Sequence, residues 1–158
     1  MTAVEAYDLT THGGAADFAR VIEACESFGP YCLIAGLAVN SYVEPVYTLD
    51  AKIVVITSNL SKPSLYLKNG SQLRIQFTTD ERYQSFLARS VEAEVLGIRV
   101  RVACLEDVTS GKLWAYSDPR RRLSKRKKDE LDLIRLAEAY PELRSLYPRE
   151  LQEQLDRG

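Results

Sequence analysis

The sequence predicts a mixed α/β (α+β) domain: a small mixed sheet flanked by helices. Three observations lead there. Short apolar runs at residues 31–34, 53–56 and 73–79 alternate with segments of helical periodicity. Strand signals gather early in the chain and helical signals late, from about residue 105 to 158. Finally, 46% of the 158 residues are hydrophobic, enough for one domain of ordinary size to bury a core.

The first dozen residues are weakly patterned. Residues 14–28 read as an amphipathic helix, because Phe18, Val21, Ile22 and Cys25 recur at three- and four-residue spacing, and Gly29-Pro30 stops it. Tyr31-Cys32-Leu33-Ile34 is a strand. Ala35-Gly36 turns the chain into a second helix over residues 37–42. Ile53-Val54-Val55-Ile56 lacks alternation and is β-branched, which predicts a central strand covered on both faces. Residues 58–70 read as a loop around Pro63 and Asn69-Gly70, with a short strand possible at 65–67. From 73 to 79 the pattern alternates, with Leu73, Ile75 and Phe77 facing one way and Arg74, Gln76 and Thr78 the other.

Asp80 starts a helix whose buried stripe is Tyr83, Phe86 and Leu87. Residues 95–102 form a strand pair or one bent strand broken at Gly97. A helix opens at Leu105-Glu106-Asp107 and carries Lys112, Leu113 and Trp114. Two more cover residues 124–140, with Ser124 as N-cap, and 149–155. The whole reads as one domain over residues 1–158, with a core at about 14–104 and a helical C-terminal part at about 105–158.

The formal net charge of -1 singles out no partner class, so any electrostatic function rests on local clustering. Cys25, Cys32 and Cys104 are odd in number and form no C-x-x-C pair, so they read as small buried hydrophobes. His12, the one histidine, reads as a loop residue, which excludes a histidine-rich metal site. No signal peptide and no run near the roughly 20 apolar residues of a membrane span is visible, and a cytoplasmic location without membrane contact is the default expectation.

Three segments can carry chemistry. Around Ala35-Gly36 a strand ends and a helix begins, which either lets backbone N–H groups approach a phosphate or serves only as a tight turn. In Thr48-Leu49-Asp50-Ala51-Lys52, Asp50 and Lys52 share a strand face and project towards that turn if the strands are neighbours; the plain alternative is a surface ion pair. Between residues 120 and 128, seven of nine residues are basic (Arg120, Arg121, Arg122, Lys125, Arg126, Lys127, Lys128). Basic residues at a helix start oppose its dipole, so either a phosphate-bearing ligand favours them or they pair with acids such as Glu106, Asp107 or those of the C-terminus.

Together these blocks resemble the nucleotidyltransferase superfamily, and within it the small bacterial groups of the AbiEii-type toxin and the MNT-type antitoxin. The family's strand, Gly-Gly or Gly-Ser, then helix is similar to Ile34-Ala35-Gly36-Leu37-Ala38-Val39-Asn40. Its Thr-x-Asp-x-Asp before an apolar strand is similar to Thr48-Leu49-Asp50-Ala51-Lys52-Ile53-Val54-Val55. A later stretch resembles Leu105-Glu106-Asp107, Gly111-Lys112-Leu113-Trp114-Ala115 and residues 124–132, so that the resemblance spans about residues 31–143.

The resemblance implies transfer of a nucleoside phosphate to a hydroxyl, with magnesium and a nucleoside triphosphate as cofactor and substrate, and carboxylates holding two metal ions. It places Asp50, Lys52 and Gln76 at the catalytic positions, Asp50 alone as a metal ligand, and Ala35, Gly36, Lys112, Arg122, Lys125, Arg126 and Lys128 at phosphate. Here the second motif aspartate is Lys52, whose ammonium has no lone pair for a cation. The third acid is expected on the outward face of 73–79, where Arg74, Gln76 and Thr78 stand. A degraded metal site is therefore expected.

Three functions follow as expectations. The chain binds a nucleotide, RNA or a partner protein, with toxin–antitoxin membership implied by the resemblance alone. Or it is an active transferase in which Asp50 holds one metal with help from Asp80, and Lys52 orients a triphosphate. Or it is an interaction scaffold with Tyr140, Leu143, Leu146 and Tyr147 on a helical packing surface.

Overall fold

A computed structural model describes residues 1–56 and 71–158; the loop and short strand expected between 58 and 70 lie outside the described residues. The fold is mixed α/β, with a five-stranded mixed sheet flanked by helices. The chain divides into two compact units, Met1–Cys104 and Leu105–Gly158.

The first unit holds all five strands found among the described residues. Helix α1 (Ala3–Thr10) begins the chain where the sequence looked unpatterned, and a capping box starts it: Thr2 Oγ1 accepts from the Glu5 N–H, and the Glu5 carboxylate accepts from the Thr2 N–H. Helix α2 (Gly14–Phe28) follows the predicted bounds, and its stripe of Phe18, Val21, Ile22 and Cys25 is buried. Burial, with Glu26 adding to it, pushes the Cys25 thiol up to about 12, which keeps it protonated and unreactive.

Strand β1 (Tyr31–Ile34) is buried at all four residues, as the middle strand of the order β3-β2-β1-β5-β4 must be. Helix α3 (Ala35–Val39) starts two residues earlier than the sequence suggested and is only five residues long. Strand β2 (Asp50–Val55) pairs antiparallel with β1 and parallel with β3 (Arg74–Thr78). Ile53, Val54 and Val55 of β2 are consecutive and all buried, so both faces of this strand are covered, as its pattern implied.

Helix α4 (Glu81–Ala88) is capped by Asp80, whose carboxylate accepts from the Arg82 N–H. It buries Tyr83 and Phe86 edge-to-face at 5.4 Å, while Leu87 is only half-buried. Strands β4 (Val91–Val95) and β5 (Ile98–Val102) resolve the ambiguity at 95–102 as a hairpin. Its two-residue turn has positive φ at Leu96 (48°) and Gly97 (82°), the combination that matches strand twist in tight hairpins.

The second unit is helical: α5 (Leu105–Ser117), α6 (Leu123–Ala139), a 3₁₀ turn (Pro141–Leu146) and α7 (Arg149–Arg157). The N-cap of α6 is Arg122 with no side-chain cap bond, so Ser124 does not cap the helix; it lies inside the first turn and is exposed. Leu143 and Tyr147 are core, whereas Leu146 is 51% exposed, so the expected packing surface splits between interior and solvent. Among the described residues no helix is long and apolar enough to cross a membrane.

Candidate functional site

The predicted site residues fall into two groups, one in each unit. In the first unit, register builds the site. Ile34 of β1 stands opposite Lys52 of β2, so the β1–α3 corner at Ala35-Gly36 adjoins the start of β2. A Cβ on Gly36 would stand 3.5 Å from Thr48 Oγ1, an ordinary contact. On the other side of β2, Asp50 is opposite Arg74 and Lys52 opposite Gln76. The alternation of strands puts these four side chains on one face.

The turn at this corner falls on Ala35, not on Gly36. Ala35 has φ of 65°, in the left-handed region that an L-residue with a Cβ disfavours, while Gly36 does not use positive φ. Ala35→Gly is expected to raise stability by about 0.5–1 kcal/mol, the relief of left-handed strain less the added freedom of the unfolded chain. Urea unfolding checks it, and a destabilised variant would mean the alanine methyl makes a contact worth more than the strain.

Asp50 is already engaged. Arg74 Nε donates to Asp50 Oδ1 at 2.8 Å and Arg74 Nη2 to Oδ2 at 3.3 Å, a two-armed grip on the carboxylate. The Arg74 guanidinium is held above its usual range by that hydrogen bond and the Asp50 charge. Lys52 Nζ lies 5.3 Å from the centre of the Tyr83 ring, and Arg82 Cζ lies 5.5 Å from the same ring. Arg82 also grips Asp80 with its side chain, Nη2 to Oδ2 at 3.1 Å. The Asp80 carboxyl is held below the usual range, first by the Arg82 side-chain hydrogen bond, then by the Arg82 backbone N–H, with the charge of Lys52 a smaller cause.

The face therefore carries three cations, Lys52, Arg74 and Arg82, against two carboxylates, Asp50 and Asp80, each bound by an arginine. A two-metal centre needs several carboxylate oxygens converging on hard cations. Asp50 is in register with Arg74, Lys52 lies two residues along the same strand, and Gln76 offers a neutral amide. The donor set does not fit magnesium, and among the described residues no group of three His, Cys, Asp or Glu side chains is placed to hold a metal ion.

In the second unit, Lys112 is not at the surface. Its side chain is 8% exposed, and Nζ lies 3.0 Å from Asp129 Oδ1 and 2.8 Å from Asp132 Oδ2. Arg121 Nε reaches Asp129 Oδ2 at 2.6 Å, and Arg135 Nη1 reaches Asp132 Oδ1 at 2.7 Å. Asp129 and Asp132 thus serve a buried charge network tying α5 to α6.

The basic run divides accordingly. Arg121 belongs to the network, Arg120 Nε lies 3.5 Å from Asp118 Oδ1, Arg126 donates to the Arg121 carbonyl at 3.1 Å, and Lys127 meets Glu130 at 3.2 Å. Among the acids that meet the run are the local Asp118, Asp129 and Glu130. Arg122 and Lys128 are exposed; Lys125 and Arg126 are half-buried.

What the sequence reading missed is Arg74 as the partner of Asp50, Arg82 on the same face, and the interior position of Lys112. Parallel pairing of β2 with β3 brings the first about, and no local signal encodes it. Compared with known proteins, the chain matches no family model and no curated sequence.

Proposed function

We propose that this chain is a nucleotidyltransferase-like protein that binds the phosphates of a nucleotide or RNA without assembling a two-metal catalytic centre. One observation supports this above the others: the β2–β3 face sets Lys52, Arg74 and Gln76 around the single motif carboxylate, Asp50. Cations on such a face take over the charge-neutralising role that metal ions perform elsewhere, and guanidinium groups are well shaped for phosphate oxygens. The Arg74–Asp50 pair has exposures of 65% and 43%, so it is weak enough for a phosphate to exchange for it. Exposed Arg122 and Lys128, with half-buried Lys125 and Arg126, give the helical unit its own basic surface for a longer phosphate backbone.

The test is a titration of the full chain with a nucleoside triphosphate and, separately, a short single-stranded RNA, each with magnesium and with chelator. Binding of at least one is expected in chelator as well as in magnesium. Lys52→Asp is expected to lower affinity in chelator by about ten- to hundredfold, the worth of one charged phosphate contact. A combined Arg122→Ala, Arg126→Ala, Lys128→Ala variant is expected to weaken RNA more than triphosphate and to flatten the salt dependence. Metal-dependent transfer of labelled nucleotide that vanishes in Asp50→Ala, or no binding of either ligand, sinks the reading.

A further inference from the structure

We propose that the first unit carries a second binding site, unrelated to phosphate, for a neutral apolar small molecule. A half-enclosed cavity of about 620 Å³ lies between α1, α3, the segment 43–48 and the β4–β5 turn. That volume suits a ligand of drug-like size, and the lining is mainly apolar. Val4 and Tyr7 form one wall, Leu37 and Val95 another, and Val46 and Tyr47 stand at the mouth, 42% and 59% exposed.

The walls are held by bonds within the chain. Segment 43–48 has no helix or strand to hold it, yet it is pinned at Val46 and at Thr48. Asn40 Nδ2 donates to the Val46 carbonyl at 2.8 Å and its Oδ1 accepts from the Val46 N–H at 3.2 Å. Tyr7 Oη donates to the Thr48 carbonyl at 2.8 Å, and the Tyr7 and Tyr47 rings lie 5.7 Å apart. A preformed cavity spends little affinity on ordering itself.

The same bonds define the occupant's chemistry. The Asn40 amide bonds to Val46 and the Tyr7 hydroxyl to Thr48, while Thr10 Oγ1 donates to the Ala6 carbonyl at 3.0 Å. These polar groups of the lining are turned to backbone, not to the space. Among the described residues of the lining, Glu94 is the one charged side chain, and it is exposed. A molecule recognised here gains by leaving water, not by ion pairing.

The full chain is titrated with the neutral fluorescent probe 1-N-phenylnaphthylamine. Saturable binding of one probe per chain is expected, with blue-shifted emission. Ala6→Trp, which fills the cavity from α1, and Val46→Asp, which charges its mouth, are each expected to weaken binding at least about tenfold. Leu9→Ser, on the same helix but outside the cavity, is expected to leave it unchanged. Circular dichroism identifies any variant that fails to fold, and the other cavity variant then decides. Absence of saturable binding, or equal binding by wild type and the folded cavity variants, overturns the proposal. So does a dimer in sedimentation that Val46→Asp dissociates, because a second copy would then be the occupant.

Discussion

Lys112→Met should cost the helical unit about 3–5 kcal/mol, the usual penalty for removing one partner of a buried ion pair. Asp129 is 1% exposed and Asp132 is 8% exposed, and both accept from the Lys112 ammonium. Without it, Arg121 still holds Asp129 and Arg135 still holds Asp132, but each carboxylate loses a charged donor where little water reaches. The desolvation already spent on two carboxylates is then poorly offset.

The chain's single tryptophan, Trp114, sits on α5 two residues from Lys112, so its fluorescence in urea reports this unit directly. Lys112→Arg is expected to lose less, because it keeps the charge while misplacing the donors. A Lys112→Met variant within about 1 kcal/mol of wild type would show that the network is dispensable for folding. It would also reopen Lys112 as a residue kept for a ligand.

The network also shows what a sequence conceals. Seven basic residues in nine looked like one surface feature, because charged side chains are rarely fully buried. Whether Arg121 faces solvent or Asp129 depends on how α5 packs on α6, which no short window encodes. The elements themselves were legible where a local signal was strong. The stripe on α2, the Gly29-Pro30 stop and the buried run of β1 gave boundaries close to those observed.

Helix α1 was missed although Thr2 and Glu5 spell a capping box, because it buries only Tyr7 and therefore shows little apolar periodicity. The turn at Ala35-Gly36 was legible, but not which of its two residues carries it. Glycine is the residue that usually turns a chain, and the protein instead holds Ala35 in the strained conformation. The four candidate residues on the β2–β3 face were all visible as an alternating pattern. Their juxtaposition was expected from the resemblance alone, since it follows from a parallel register between segments more than 20 residues apart, which no local pattern encodes.

Alkali should unfold the protein between about pH 10 and 12 through its buried tyrosines. Burial, with Tyr47 and Asp50 adding to it, pushes the Tyr7 hydroxyl up to about 12. The Tyr31 hydroxyl is raised too, first by burial and then by its 2.5 Å bond to Glu26 Oε1, and burial alone raises Tyr147, which donates to the Leu133 carbonyl at 2.5 Å. Below about pH 10 these phenols are protonated in folded and unfolded chains alike, and stability is fully present. Above it the unfolded chain releases protons that the folded chain retains, so stability falls as pH rises through the gap. Each tyrosine contributes a slope of about 1.4 kcal/mol per pH unit within its gap. Tyr7 and Tyr31 act on the first unit and Tyr147 on the second.

Tyrosinate absorbance followed beside circular dichroism should show ionisation of Tyr7, Tyr31 and Tyr147 coinciding with loss of helix. Tyr147→Phe gives the sharper test, because it removes one titrating proton from the helical unit and should flatten the alkaline slope of its unfolding free energy, read at Trp114, by about one proton. Nine tyrosines titrating together near pH 10 with the fold unchanged would contradict the buried positions of Tyr7, Tyr31 and Tyr147.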